Sequence, residues 1–171
     1  ALPWVISARL EAAARRAGVP GDSTLLPPRT RSVTEPRRER LRRSRLYLPG
    51  NTPKFMLNAA LHGPDGVILD LEDSVAPARK AEARLLVRNA LRAVDFGASE
   101  VMVRINQIPM GLEGLTAVVP QAPEMVLIPK VEDPGQVVRV AEACRRLAEE
   151  AGVPEPLLMP IIESARGVLA A

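Results

Sequence analysis

The stretch GVILDLEDSVAP, residues 66–77, constrains this chain more than any other. Val67, Ile68, Leu69 and Leu71 surround Asp70, after which the run breaks into Glu72 and Asp73. A near-continuous apolar run of this length suits a strand whose two faces are both covered, as in a parallel sheet. Three carboxylates at the end of such a strand are costly unless a cation sits among them. The stretch therefore demands both a layered α/β fold and a partner for its acids.

The pattern recurs. RLYLPGN (45–51), EVMVRIN (100–106), EMVLIPK (124–130) and PLLMPIIE (156–163) are further apolar runs. Helix-sized segments separate them. Thr52 and Pro53 open one that stops at Gly63. Pro77 opens a second, through about Val94, with Ala83, Leu86, Ala90 and Val94 on one face. A short helical turn spans 111–119. Asp133 and Pro134 open a fourth helix, which carries Val137, Val140, Ala141, Cys144 and Ala148 on one stripe and stops at Gly152. SARGVLAA begins one more. Alternating strand and helix predicts parallel strands with right-handed crossovers. An open doubly wound sheet and part of a (β/α)8 TIM barrel both fit. No G-x-G-x-x-G or Walker-type loop follows a strand, and a whole barrel takes about 250 residues. The expectation is an incomplete barrel of about five βα units over residues 45–171.

Two segments precede it. Residues 1–19 read as a short helix with Ser7 as a candidate cap, Trp4 as an anchor, Gly18 as the stop, and little of its own to pack against. Residues 20–44 read as an Arg/Pro-rich linker. From Arg29 to Arg45 there are eight arginines against two glutamates. This is either a polyanion site or, preferably, a solvated linker or the edge of a subunit contact, since no aromatics interleave. Aromatics are 2% of the chain, which argues against base stacking and nucleic acid as a partner. The single cysteine, Cys144, excludes an intrachain disulfide. No apolar run reaches membrane-spanning length, and a cytoplasmic location is expected. The chain begins without Met, as a fragment or a processed product would.

In parallel βα proteins function gathers at the C-terminal ends of the strands. Those ends offer Asp70, Glu72 and Asp73, then Arg104 and Asn106, then Lys130, then Glu163. Acids with Arg and Lys on one rim would bind a divalent cation and an anionic substrate together. Mg2+ takes oxygen ligands, commonly one or two carboxylates with water and substrate atoms, so Glu163 with one of the carboxylates at 70–73, or with one from beyond the end of this chain, could serve. Arg104 can hold a carboxylate through two parallel hydrogen bonds. The combination suits carbon–carbon cleavage beside a carbonyl. Lys130 as a Schiff-base nucleophile is disfavoured, because neighbouring carboxylates keep it protonated. His62, at a helix end, reads as a dipole-compatible surface residue.

RRSRLYLPGN, GVILDLEDSVAPARKAEAR, VMVRIN, VLIPKVED and PIIESARG resemble, in order and spacing, the citrate lyase β subunit and its relatives. These are the citryl- and malyl-thioester lyases of the HpcH/HpaI aldolase group. The resemblance covers roughly residues 42–171. It implies a Mg2+-dependent (β/α)8 barrel that cleaves a citryl thioester, on an acyl carrier or CoA, to oxaloacetate and an acetyl thioester. The alternatives are malyl-CoA or methylmalyl-CoA chemistry on the same site, or a non-catalytic binding module. On the resemblance, Glu163 matches the first metal carboxylate, and Arg104 the substrate-binding arginine. Asp73 matches an active-site acid near the metal, with Glu72 beside it in a catalytic set of Asp73, Arg104 and Glu72. Arg104, Asn106 and Lys130 make up the candidate substrate-binding set. The family's second metal carboxylate lies in a Gly-Ala-Glu-Asp segment that this chain does not reach, so the chain alone is expected to be incompetent. Other citrate lyase subunits and further copies of the chain are the expected partners. Residues 1–19 also resemble the C-terminus of the citrate lyase acyl carrier (γ) subunit, which implies a carrier–lyase fusion.

Overall fold

A computed structural model describes residues 2–18 and 26–171. Five strands form one parallel sheet in the order β1-β2-β3-β4-β5: β1 Arg45–Pro49, β2 Gly66–Asp70, β3 Glu100–Arg104, β4 Met125–Ile128 and β5 Leu157–Pro160. Strand order follows chain order with no reversal. A doubly wound sheet reverses at its switch point, so the barrel-type alternative is the one observed. The strands run in step, with Pro49 opposite Asp70, Asp70 opposite Arg104 and Arg104 opposite Leu127. The C-terminal ends of the first four strands therefore lie close to one level.

Period-two alternation sorts each strand between two cores. Val67, Leu69, Val101, Val103, Val126 and Ile128 face the helices. Ile68, Met102, Met125 and Leu127 form a smaller cluster on the other face, joined by half-buried Leu157 and Met159. The helices are α1 Pro3–Arg16, α2 Pro53–Asn58, α3 Lys80–Ala93, α4 Met110–Val118, α5 Pro134–Ala151 and α6 Ala165–Leu169. α3 buries the stripe Ala83, Leu86, Val87 and Ala90 against the sheet. α5 starts at a capping box in which Asp133 and Gln136 satisfy each other's backbone, and it ends at Gly152 in the left-handed conformation. α2 tightens into a 3-10 turn over Ala59–His62 before Gly63 ends it. Cys144 is fully buried on the α5 stripe, and burial pushes its thiol up to about 12. It is expected to resist iodoacetamide at pH 8 until the chain unfolds, which mass spectrometry across a denaturant series checks. By the same shift the thiol favours folding below its ordinary value near 9, and that advantage fades as pH rises toward 12.

The two N-terminal segments depart from expectation. Ser7 does not cap α1. Pro3 occupies the first turn behind Leu2, its fixed φ suiting that position, and the Ser7 hydroxyl donates back to Trp4 O inside the helix. Nor is α1 without a partner. Trp4, Val5, Ala8 and Ala12 are buried in the main core, Arg88 of α3 donates to Glu11 at 2.6 Å, and Asn89 donates to Trp4 O at 2.9 Å.

The arginines that follow are not a free polyanion patch. Arg29 donates to Pro120 O and Gln121 O, and Arg31 to Leu91 O, Gln121 O and Ala122 O. Arg40 donates to Ala98 O, Arg42 grips Glu100 with two hydrogen bonds of 2.6 and 2.7 Å, and Arg43 grips Asp65. The segment is a strap across the end of the sheet where the strands begin. From residue 29 on, its charge is consumed by orphan carbonyls at helix ends and by acids at the strand entrances, so a solvated linker is not what forms there; residues 19–25, which the helix and linker expectations also cover, lie outside the described residues. Arg43 holds Asp65 well below the usual carboxylate range. Among the described residues, no helix is long and apolar enough to cross a membrane.

Candidate active site

Asp70 ends β2 and Arg104 ends β3 on the same face as Ile68 and Met102, at paired register. Arg104 Nε and Nη2 each donate to one Asp70 oxygen at 2.7 Å. Asp70 also accepts the backbone N–H groups of Glu72 and Ser74, at 2.8 and 3.1 Å. Burial pushes the Asp70 carboxyl up, but Arg104 and these two donors outweigh it and leave it below its ordinary value. Asp70 in turn raises the Arg104 guanidinium, whose Cζ lies 5.1 Å from the Tyr47 ring centroid, within cation–π range. The free edge of the fork faces the other acids, with Nη1 3.3 Å from Glu72 and 4.0 Å from Asp73.

Leu71 N still donates to Arg104 O, and the loop after β2 then turns over Glu72–Val75, where Val75 N donates to Glu72 O. Gly50 N donates to Asp70 O, and a Cβ on Gly50 would stand 2.6 Å from that oxygen. Glu72 is buried, whereas the Asp73 side chain is 60% exposed. Lys130 Nζ donates to Glu72 at 2.7 Å and to Asp73 at 3.1 Å. A hydrogen bond shared with Glu72, and then the one from Lys130, hold Asp73 below its usual range. Glu72 and then Asp73 raise the Lys130 ammonium, so Lys130 is a protonated counter-ion. Its backbone has φ 50, a left-handed conformation that a side chain adopts at some cost, and its N–H donates to Glu163 at 3.0 Å. Glu163 itself is exposed just past β5, beside Ser164, which caps α6.

Each rim residue singled out in the sequence therefore lies at the C-terminal ends of β2 to β5. Arg104, Glu72, Asp73 and Lys130 form one ion-pair network, and Lys130 links it to Glu163. Asn106 is buried just beyond β3. Two neighbours of the site are absent from the sequence-based set. Tyr47, on β1, carries no sequence signal beyond its place in RLYLPGN. Lys80 donates from Nζ to Leu71 O, Glu72 O and Asn106 Oδ1 at 3.0, 2.8 and 2.6 Å. It reads in sequence as an ordinary first-turn residue, and only its cation at a helix N-terminus, against the dipole, marks it.

The donors available to a metal are carboxylate oxygens, which suits a hard cation such as Mg2+. Among the described residues, no three His, Cys, Asp or Glu side chains converge. Glu163 is an exposed carboxylate of this rim beyond the ion-pair network.

Consecutive parallel βα units in chain order, with a charged rim where the strands end, define a barrel-type segment. The sequence profile of the HpcH/HpaI aldolase/citrate lyase family matches residues 43–171. Citrate lyase subunit beta of Leuconostoc mesenteroides subsp. cremoris is 38% identical over 135 residues, covering 77% of this chain and 45% of that protein. The L-malyl-CoA/beta-methylmalyl-CoA lyase of Cereibacter sphaeroides is 35% identical over 132 residues, covering 74% and 42%. Among solved structures, a citrate lyase beta subunit from M. tuberculosis complexed with oxaloacetate and magnesium superposes with a TM-score of 0.53 at 32% identity, over 75% of this chain and 52% of that one. The chain belongs to the HpcH/HpaI aldolase/citrate lyase family, and it spans less than half the length of these curated relatives.

Proposed function

We propose that this chain carries the first part of the catalytic apparatus of a citrate lyase β-type enzyme, a Mg2+-dependent carbon–carbon lyase acting on a citryl thioester of an acyl carrier or CoA. The observation that carries the reading is Arg104, fixed by Asp70 and presenting its free edge beside Glu72 and Asp73, on the rim that also holds Glu163. Cleavage breaks the bond between the hydroxyl-bearing carbon and the thioester α-carbon. The hydroxyl loses its proton as the keto group of oxaloacetate forms, and the α-carbon takes a proton to give the acetyl thioester.

Glu163 would hold the cation, together with water, substrate and a carboxylate from outside this chain. When bound, Mg2+ supplies a Lewis acid to the keto-acid end. Arg104 binds a carboxylate through the donors Asp70 leaves free, since a guanidinium has five. Lys130 and Arg104 keep Asp73 ionised at neutral pH. Asp73 then acts as an acceptor that orients the substrate hydroxyl or water. Oxaloacetate, the carrier or CoA thioester, other lyase subunits and further copies of the chain are the partners this reading implies, with a cytoplasmic location. A carrier-derived N-terminal segment at 1–19, a linker at 20–44 that docks as the strap where it is described, and a lyase segment at 45–171 belong to the same proposal. The similarity to the Cereibacter enzyme, close to that of the citrate lyase subunit, favours malyl-CoA or methylmalyl-CoA as the second reading. Polyanion binding is disfavoured, because five of the strap's arginines are already engaged within the chain.

The test is citryl-thioester cleavage by the gene product that carries this chain. The rate is expected to vanish with EDTA and return with Mg2+, and Glu163→Gln is expected to raise the Mg2+ requirement. Full activity under chelation would overturn the reading, and faster turnover of malyl-CoA than of the citryl thioester would favour the second one.

A further inference from the structure

Lys80 breaks a local rule. It is the first residue of α3, directly behind a 3-10 turn over Pro77–Arg79, near the end of the helix where the dipole disfavours a cation. Its aliphatic stem leads to an ammonium with three acceptors: Leu71 O, Glu72 O and Asn106 Oδ1. An ammonium has three protons and no acceptor capacity, so all three are matched. The first two acceptors belong to the backbone of the loop that carries Glu72 and Asp73. The third lies past the end of β3. Lys80 thus clamps the acidic loop of one strand to the polar end of the next.

The clamp also fixes an orientation. An amide has an oxygen side and a nitrogen side, and a pure donor can face only the oxygen. With Oδ1 held by Lys80 at 2.6 Å, Nδ2 must occupy the opposite position. Asn106 is 4% exposed, and among the described residues Nδ2 is buried with no hydrogen-bond partner. A buried donor left unmade is destabilising. Asn106 borders a cavity of about 270 Å³ lined also by Glu72, Asp73, Lys80, Gln107 and Lys130. It stands two residues past Arg104, on the same side of the extended chain by strand period. The backbone cannot shift away to relieve it, because Gly111 packs against Asn106 O so closely that a Cβ there would fall 2.2 Å from it.

We propose that Lys80 is a positioning residue that locks the Asn106 amide with Nδ2 presented as a donor to an anionic oxygen of the keto-acid substrate, beside the carboxylate bound by Arg104. The assignment rests on the lyase reading above and adds to it one donor and the residue that aims it. A local rule broken at Lys80 and an unmatched donor at Asn106 are two faults of stability that one bound oxygen explains together.

The test measures oxaloacetate binding by calorimetry, in the presence of Mg2+, on the gene product that carries this chain. Asn106→Leu is expected to weaken binding roughly 10- to 100-fold, the worth of one hydrogen bond to a charged group, while Lys80 keeps Leu71 O and Glu72 O as acceptors. Lys80→Met is expected to weaken it several-fold. The double variant is expected to bind no more weakly than Asn106→Leu alone, because Lys80 acts through Asn106. Should the leucine variant fail to fold, Asn106→Asp keeps the acceptor for Lys80 while removing the donor, and is expected to lose binding as well. Wild-type affinity in folded Asn106 variants would overturn the donor, and additive losses in the double variant would overturn the positioning by Lys80. A wild-type protein that neither binds oxaloacetate nor cleaves a thioester would overturn the lyase reading along with both.

Discussion

Replacing Arg42 with Ala is expected to destabilise the fold by about 3–5 kcal/mol, the usual cost of leaving a buried charge without its partner. Glu100 opens β3 and is fully buried. Its two carboxylate oxygens are held by Arg42 Nε and Nη2, at 2.6 and 2.7 Å. The same guanidinium donates to Arg37 O and Arg38 O, so the substitution also loosens the strap. Thermal unfolding should fall by on the order of 10 °C. The companion variant separates the pair from its penalty. Arg42→Ala combined with Glu100→Met removes the stranded charge and should recover most of the loss, because a buried ion pair exchanged for apolar packing is often neutral. A drop below about 1 kcal/mol for Arg42→Ala, within the range of exposed pairs, would show that Glu100 finds another partner or water.

The strap is the largest structural feature that sequence reasoning did not deliver, for a physical reason. Strands and helices announce themselves through apolar periodicity. GVILD, EVMVR and MVLI were legible because both of their faces are covered. The α5 bounds were legible because Asp133, Gln136 and Gly152 perform local capping jobs. An arginine that satisfies carbonyls far along the chain, as Arg31 does at Leu91, Gln121 and Ala122, leaves no periodic trace. It looks identical to an arginine in water. The docking of α1 through Glu11 to Arg88 is hidden in the same way.

At the site, position was legible and pairing was not. Strand ends predict a rim, so Glu72, Asp73, Arg104, Asn106, Lys130 and Glu163 could be named as neighbours. Which acid takes which cation depends on register. Asp70 lies directly opposite Arg104 and claims its fork, leaving Glu72 and Asp73 to hydrogen bonds from Lys130 and to the free edge of Arg104. The acidic cluster is thus mostly neutralised by protein cations, and Glu163 stands outside it.

That division makes Arg104→Lys the substitution with the largest expected effect on activity, a loss in kcat/KM of roughly 100- to 1,000-fold for the gene product that carries this chain. A lysine has the charge but not the fork. It cannot match both Asp70 oxygens and still present donors to a substrate carboxylate, and each charge-assisted bond lost is worth about 1.5–3 kcal/mol. The stacking over Tyr47 is lost with it. Asp70→Asn tests the same geometry from the other side. It should raise KM, since the fork loses the anion that orients it, and it should alter acid stability in a defined direction. The folded Asp70 carboxyl lies below its ordinary value of 3.8, so its contribution is present above that value and is lost as pH falls through the lower folded value. The asparagine variant should therefore be less stable than wild type at neutral pH, with the difference shrinking in strong acid. Denaturant unfolding at pH 7 and pH 2.5 reads the sign. An Arg104→Lys enzyme within threefold of wild type, or an Asp70→Asn protein whose deficit persists unchanged into acid, would mean that the Asp70–Arg104 fork is scaffolding and that the substrate carboxylate is held elsewhere.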